Sequence, residues 1–207
     1  NTVFAPAYGS PFIYNLDEGR RYARIEDFRN FVKLTYLSKS LHHSGGTICE
    51  PVDLPVNKRH FDMVYSHIKY SDKPFMGSVT HPERAQDTVE MAKILFGDGY
   101  MDASTGRPNT VIVSLINVNS PMTYDATMLG ALKVYARANQ AVVIAPFVLA
   151  GANTPASAMG ALAQLNAEAL AGIVNTVVTG VPVTQVRDDI FLVNVVARAQ
   201  GDQRTSI

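Results

Sequence analysis

Asn109-Thr-Val-Ile-Val-Ser-Leu-Ile-Asn-Val-Asn-Ser-Pro-Met-Thr123 decides the fold class of this chain. From Val111 to Ile116 the run is apolar apart from the small Ser114, and it then gives way to Asn117, Asn119, Ser120 and Pro121. A strand that is apolar on both faces is one covered on both sides, as in a parallel sheet. Ligands of α/β folds meet the protein just past the carboxyl ends of such strands. Two carboxamides and a hydroxyl therefore stand where chemistry is usually done. Asn117, Asn119 and Ser120 are the first candidate site residues, with bracing of the loop backbone as the competing role for the Asn side chains.

Working outward, Ala141-Val-Val-Ile-Ala-Pro-Phe-Val-Leu149 is a second buried strand of the same kind. Between the two, Met128, Leu132 and Tyr135 fall on one face and predict a helix over about 124–139. Downstream, Thr154-Pro155 reads as an N-cap followed by an N1 proline, opening an alanine-rich helix to about Ile173. That helix is apolar nearly all round and expects cover on most sides. Upstream, Pro74 to Thr80 reads as a short strand. Thr80-His-Pro-Glu83 fits a capping box for a helix from Pro82 to Phe96, packed through Ala85, Val89, Ala92 and Leu95. Before it lie a short strand at Thr47-Ile-Cys49, ended by Glu50-Pro51, and a helix over about 57–70 with Phe61, Val64, Tyr65 and Ile68 as its buried face. A first helix spans 25–37, its stripe formed by Ile25, Phe28, Phe31, Val32, Leu34 and Tyr36. Residues 1–17 and 97–108 read as irregular, with a strand end near Val3.

Strand starts near 47, 75, 110 and 141 alternate with helices at a mean step of about 30 residues, the length of a βα unit. Such alternation means a parallel sheet with right-handed crossovers. A closed eight-stranded barrel takes about 250 residues. Four strands, with extra ones near Val3 and beyond Val174, cannot close. The alternatives are part of a larger α/β barrel or an open doubly wound sheet. No Gly-rich dinucleotide or phosphate-loop signature follows any strand, which favours the barrel.

Composition narrows the function classes. Lys+Arg and Asp+Glu balance at 18 each, so no basic face argues for nucleic acid. The only cysteine, Cys49, excludes an internal disulfide and a zinc-type cysteine cluster. No apolar run reaches the roughly 18 residues that span a bilayer, and no signal peptide is evident, so no membrane is expected and the cytoplasm is the default. The chain opens at Asn1 without an initiating Met and close to apolar sequence, which reads as a fragment, with a processed or trimmed chain as the alternative.

Several blocks carry a family likeness. They include Phe4-Ala-Pro-Ala-Tyr-Gly-Ser-Pro11, His42-His-Ser-Gly-Gly-Thr-Ile-Cys-Glu-Pro51, Tyr70-Ser-Asp-Lys-Pro-Phe-Met-Gly-Ser-Val-Thr80, Asn117-Val-Asn-Ser-Pro121, Leu129-Gly-Ala-Leu-Lys-Val-Tyr-Ala-Arg-Ala-Asn139 and Pro146-Phe-Val-Leu-Ala-Gly151. Long and ordered along the chain, they resemble the trimethylamine methyltransferase family over residues 1–173. The resemblance implies an α/β TIM (β/α)8 barrel, present here as a partial barrel of four to five βα units. It leaves 174–207 as a divergent C-terminal segment, and a large N-terminal part and the second half of the barrel outside the chain.

By the same resemblance the activity is transfer of a methyl group from trimethylamine, or from a quaternary amine such as glycine betaine, to a corrinoid. The corrinoid is carried by a cognate corrinoid protein, and no cofactor is bound directly. Members from methanogens that carry pyrrolysine take trimethylamine; no pyrrolysine stands in this sequence. A homo-oligomer is expected for the full-length form. The rivals are a non-catalytic truncated barrel that pairs with another chain, and another TIM-barrel enzyme sharing only the scaffold.

Such a transfer needs an open-topped pocket and groups that hold a cation: carboxylates, carbonyls or aromatic faces. A quaternary amine needs no acid, because the departing amine leaves neutral; trimethylamine needs activation. Glu50, at the end of a strand, can face the cation, with a loop salt bridge as its rival role. Tyr8, Tyr124 and Phe147 can wall an aromatic cage or simply pack. His42-His43 lacks a third ligand at a defined spacing, so no metal site is expected. His60 and His67 read as surface or helix-edge residues, Gln164 and Glu168 as a buried i, i+4 hydrogen bond. Arg20, Arg21 and Arg24 read as a solvated patch. No catalytic residue is assigned.

Overall fold

The computed structural model describes residues 3–6 and 8–179. Its first elements are an antiparallel hairpin, β1 (Phe12–Asn15) and β2 (Gly19–Tyr22), where the sequence reading expects irregular chain. The hairpin turns at Gly19, whose φ of 68° favours glycine, and Arg21 pins it to the first helix through Asp27 at 2.7 Å. Strand residues this few, with charges at 18, 20 and 21, leave no alternation to read. A second unforeseen hairpin, β3 (Met101–Asp102) with β4 (Arg107–Pro108), sits inside the loop expected over 97–108.

The helices are α1 (Ile25–Leu37), α2 (Arg59–Tyr70), α3 (Pro82–Phe96), α4 (Ala126–Arg137) and α5 (Ala158–Thr179). Two regular strands, β5 (Val113–Val118) and β6 (Ala141–Pro146), pair in parallel from Val113 with Ala141 to Val118 with Pro146. Two further stretches join them as single bridges, Gly45 with Phe75 and Met76 with Val113, both parallel. Four stretches thus run side by side in chain order. The strand expected at 47–49 is corrected to a bridge at Gly45, and that at 74–80 to Phe75 and Met76. Next to the bridge at Gly45, a Cβ at Gly46 would lie 2.8 Å from the Tyr8 hydroxyl and 3.0 Å from Met76, so the close approach there requires glycine. The extra strand expected at Val3 is absent from the described residues, and residues beyond Thr179 lie outside them.

Two caps differ from expectation. The N-cap of α3 is His81, whose Nδ1 accepts from the Glu83 amide, while the Thr80 hydroxyl accepts from Arg84 at 2.8 Å. Pro82 does occupy the first turn, where its missing amide costs nothing. At α5, Ser157 accepts from the Gly160 amide at 3.2 Å, so Thr154 and Pro155 precede the helix rather than open it. The helix also runs past Ile173 to Thr179.

The main core gathers Val64, Phe75, Val89, Ile112, Ile116, Leu132 and Tyr135 between the parallel stretches and α2, α3 and α4. Along β5, Ser114, Ile116 and Val118 are buried, whereas Leu115 is half-buried and Asn117 exposed. One face is therefore covered and the other open among the described residues. A smaller core of Ala23, Phe28, Val32 and Cys49 sits under the first hairpin.

The buried face of α2 is His60, Val64, Ser66 and His67; Phe61 and Tyr65, expected inside, are exposed. Leu34, Tyr36 and Leu95 are likewise exposed. Helix α5 buries Leu165, Glu168 and Ala169, but Met159, Leu162, Leu170 and Val174 stay exposed, so its expected all-round cover is limited to one face here. No described helix is long and apolar enough to cross a membrane.

Candidate functional site

The carboxyl end of β5 leads into a loop whose conformation is set from a distance. Asn119 bridges Thr123 through its amide at 2.8 Å, and its side chain donates to Asp125 at 3.1 Å. Asp125 in turn caps α4, accepting from the Met128 amide at 2.8 Å. Asn119 therefore does brace its own loop. Ser120 turns its hydroxyl to Glu168 on α5, and the same carboxylate accepts from the Met122 amide at 2.8 Å. Met122 holds φ at 57°, a left-handed value uncommon outside glycine, and the Glu168 bond fixes it there.

Glu168 is 1% exposed. Its third donor is Gln164 at 2.9 Å, the i, i+4 pair anticipated from the helix spacing. Gln164 also reaches the Asn153 carbonyl at 3.2 Å, and Asn153 donates to the Phe147 carbonyl at 2.7 Å and accepts from the Leu149 amide. A buried carboxylate is tolerated where several donors converge on it, and here they are a hydroxyl, a backbone amide and a carboxamide. The chain of contacts ties the loops after β5 and β6 to one helix.

Of the anticipated residues, Ser120 and Tyr124 meet at Glu168. The Tyr124 hydroxyl donates to the Glu168 carbonyl at 2.7 Å, and burial, then the Glu168 charge, pushes its pKa up to about 12. Asn117 lies beside this network, exposed, with no side-chain hydrogen bond among the described residues. Phe147 is 65% exposed, one residue past the pairing of Val118 with Pro146. No ring contact joins Tyr8, Tyr124 and Phe147 into a cage among the described residues; the Tyr8 hydroxyl instead meets the Met76 sulfur at 3.1 Å.

Glu50 stands elsewhere, in a cavity of about 120 Å³ between α2 and the ends of the first two parallel stretches. It accepts from Arg59 at 2.6 Å, the salt-bridge role. His60 in that wall meets Asp87 at 2.8 Å. His67 shares a 2.7 Å bond with Ser44 and a 2.9 Å bond with the Gly46 carbonyl. A carbonyl only accepts, so Nε2 carries the hydrogen and Nδ1 accepts from the Ser44 hydroxyl. Burial, aided by neighbouring His43, pushes the His67 pKa down to about 4.

His60 and His67 are 5% and 2% exposed, so their placement at the surface is corrected. The face 60, 64, 67 has helical spacing once histidine is counted as a buriable residue. Asp87 carries no local signal, because its partner His60 lies in another element, whereas Asp125, three residues ahead of Met128, carries an N-cap signal that the sequence reading does not use. His42 and His43 each accept a backbone amide through Nδ1, from Phe4 at 3.2 Å and from Gly45 at 2.9 Å.

The family described as trimethylamine methyltransferase (MTTB) matches residues 1–186, past the limit near 173 drawn from the sequence blocks. A glycine betaine methyltransferase of Desulfitobacterium hafniense (strain Y51) is 54% identical over 173 residues, covering 84% of this chain and 35% of that protein. A proline betaine:corrinoid methyltransferase of Eubacterium limosum is 27% identical over 177 residues, covering 82% of this chain and 36% of its own length. The chain spans about a third of the length of these relatives.

Proposed function

The chain belongs to the trimethylamine methyltransferase family, and from that premise we propose that the full-length protein moves a methyl group from a quaternary amine such as glycine betaine to a corrinoid. The observation that carries this is the 54% identity with a glycine betaine methyltransferase over 173 residues, which takes in the whole carboxyl-end network. The corrinoid is the acceptor substrate, brought in by a protein of its own. The name of the second relative, a proline betaine:corrinoid methyltransferase, supports that acceptor.

We propose further that these residues are four consecutive βα units of a TIM barrel. Four parallel stretches neighbouring one another in chain order support it, because an open doubly wound sheet reverses its strand order at a switch point. In that fold the exposed face of β5, with Leu115 and Asn117, is the inner wall.

The chemistry asked of this wall is modest. A quaternary nitrogen leaves as a neutral amine, so no side chain has to give it a proton. The groups here hold and orient the cation. The Asn117 carbonyl oxygen can face the positive nitrogen, and the Phe147 ring can lie against its methyl groups. Glu168, Gln164 and Asn153 keep the loops around them in one shape. The test is demethylation of glycine betaine by the full-length protein with a reduced corrinoid protein. Turnover that continues without corrinoid would sink the proposal.

A further inference from the structure

We propose that Tyr8 sets the length of substrate that the site accepts: its ring forms a floor beneath the cation site, and a betaine with a longer chain than glycine betaine does not fit above it. The proposal rests on the methyl-transfer reading and concerns the depth of that same site. Tyr8 arrives from outside the regular elements. The chain ahead of β1 runs alongside the first parallel stretch. The Phe4 carbonyl accepts from the His42 amide at 2.8 Å, the Gly9 amide donates to the Thr47 carbonyl at 2.9 Å, and the Ser10 carbonyl accepts from the Glu50 amide at 3.2 Å. Between these anchors the Tyr8 hydroxyl donates to the Met76 sulfur at 3.1 Å. A Cβ at Gly46 would lie 2.8 Å from that hydroxyl and 3.2 Å from Tyr8 Cζ, so glycine there leaves the space that the tip of the ring fills.

Strand pairing fixes which face this is. Met76 pairs with Val113, and residues paired across two strands lie on the same side of the sheet. Val113, Leu115 and Asn117 share one side of β5 by alternation, and that is the open side. Phe75, next to Met76, points the other way, into the main core. The tip of Tyr8 is therefore fastened to the open face at the level of Val113. Tyr8 is nonetheless 46% exposed, so it keeps surface free on that side among the described residues.

Asn117 stands four residues beyond Val113 on β5, about 13 Å along the strand. The methyl group leaves towards a corrinoid brought from outside, so the ammonium end of a betaine faces out, at Asn117 and Phe147. Its carboxylate end then points inward, past Leu115, towards Tyr8. Side chains at both levels take up part of the distance between them, and what is left suits a short chain. A fixed ring at the lower end turns chain length into a steric criterion, since a well-packed wall does not yield to an added methylene without strain.

The experiment uses the full-length protein and two betaines with the same trimethylammonium group, glycine betaine and γ-butyrobetaine, whose chain is longer by two methylenes. Binding is measured by calorimetry without corrinoid, and kcat and KM for demethylation with a reduced corrinoid protein. The wild type should bind γ-butyrobetaine at least about tenfold more weakly than glycine betaine. Tyr8→Ala should bring the two affinities within about threefold of each other, through the KM of the longer substrate more than through kcat. Tyr8→Phe keeps the ring and should keep the preference of the wild type. Tyr8→Leu, smaller but still apolar, should narrow the preference at least about threefold and serves if Tyr8→Ala does not fold, which thermal melts decide. Equal binding of the two betaines by the wild type overturns the proposal. So does a folded Tyr8→Ala or Tyr8→Leu that keeps the full preference, or a Tyr8→Phe that loses it. Betaine binding without any demethylation sinks the methyl-transfer reading, whereas demethylation with an unmoved preference sinks this inference alone.

Discussion

The Ser120 hydroxyl donates to the carboxylate of Glu168, 48 residues further along the chain. This contact joins the end of β5 to the middle of α5, and with it the shape of the loop that follows Asn117.

Glu168→Ala should destabilise the protein by about 3 kcal/mol, because the Ser120 hydroxyl, the Met122 amide and the Gln164 carboxamide would all lose their acceptor inside the protein. Glu168→Gln keeps one acceptor oxygen and should cost about 1 kcal/mol. Denaturant unfolding of the two variants measures this. Equal small losses would mean that water replaces the carboxylate and that the network does not hold the loop.

Gly77→Ala should cost about 1–3 kcal/mol by overpacking. A Cβ at Gly77 would run into the Tyr135 hydroxyl and lie 2.9 Å from Thr88 Cγ2. Tyr135 is fully buried and donates to the Ser78 carbonyl at 2.6 Å, so it cannot swing away without losing that bond. In a Tyr135→Phe background the added methyl should cost less, by about 0.5 kcal/mol or more. A double-mutant cycle on thermal melts reads the coupling, and strict additivity would remove the contact from the account.

What the sequence displays and what it hides separate along the chain distance of the contacts. The bounds of α1 and α3 are legible, because apolar residues recur at helical spacing and Pro82 marks a start, although Leu34, Tyr36 and Leu95 of those stripes face out. The pair Gln164 and Glu168 is legible because i, i+4 is local. The partner of Ser120 is not, since nothing near Ser120 in sequence points to α5. The buried face of α2 is misread for a different reason: Phe61 and Tyr65 outrank His60 and His67 on any hydropathy scale, yet the histidines find partners in Asp87 and Ser44 and go inside. The pairings at 45 and 75 are single bridges, in stretches too short to show alternation in the sequence.

His67 makes stability pH-dependent. Its folded pKa is about 4, whereas an unfolded histidine titrates near about 6.5. Between those values the unfolded chain binds the proton and the folded chain does not, so stability is complete above about 6.5 and falls as pH drops towards 4. The loss is on the order of 3 kcal/mol across the window. His43, also lowered by burial, adds in the same direction. Thermal melts at about pH 7 and about pH 5 should show the drop, and His67→Gln should flatten it. A melting temperature that does not change between these pH values would contradict the buried neutral imidazole.

Asn117→Ala separates the binding role from the bracing role. Asn119 is tied to Asp125 and Ser120 to Glu168, so substituting either disturbs the loop as well as any ligand. Asn117 is exposed at the end of β5 with no side-chain hydrogen bond among the described residues. Its truncation should therefore change stability by no more than about 0.5 kcal/mol. If its carbonyl oxygen faces the substrate cation, methyl transfer from glycine betaine to the corrinoid protein should fall by roughly tenfold, the loss of about 1.4 kcal/mol of interaction. The paired measurement is a thermal melt and a demethylation assay on the same full-length preparation. Unchanged transfer would take Asn117 out of the site. A large loss of stability would place it with Asn119 among the residues that hold the loop.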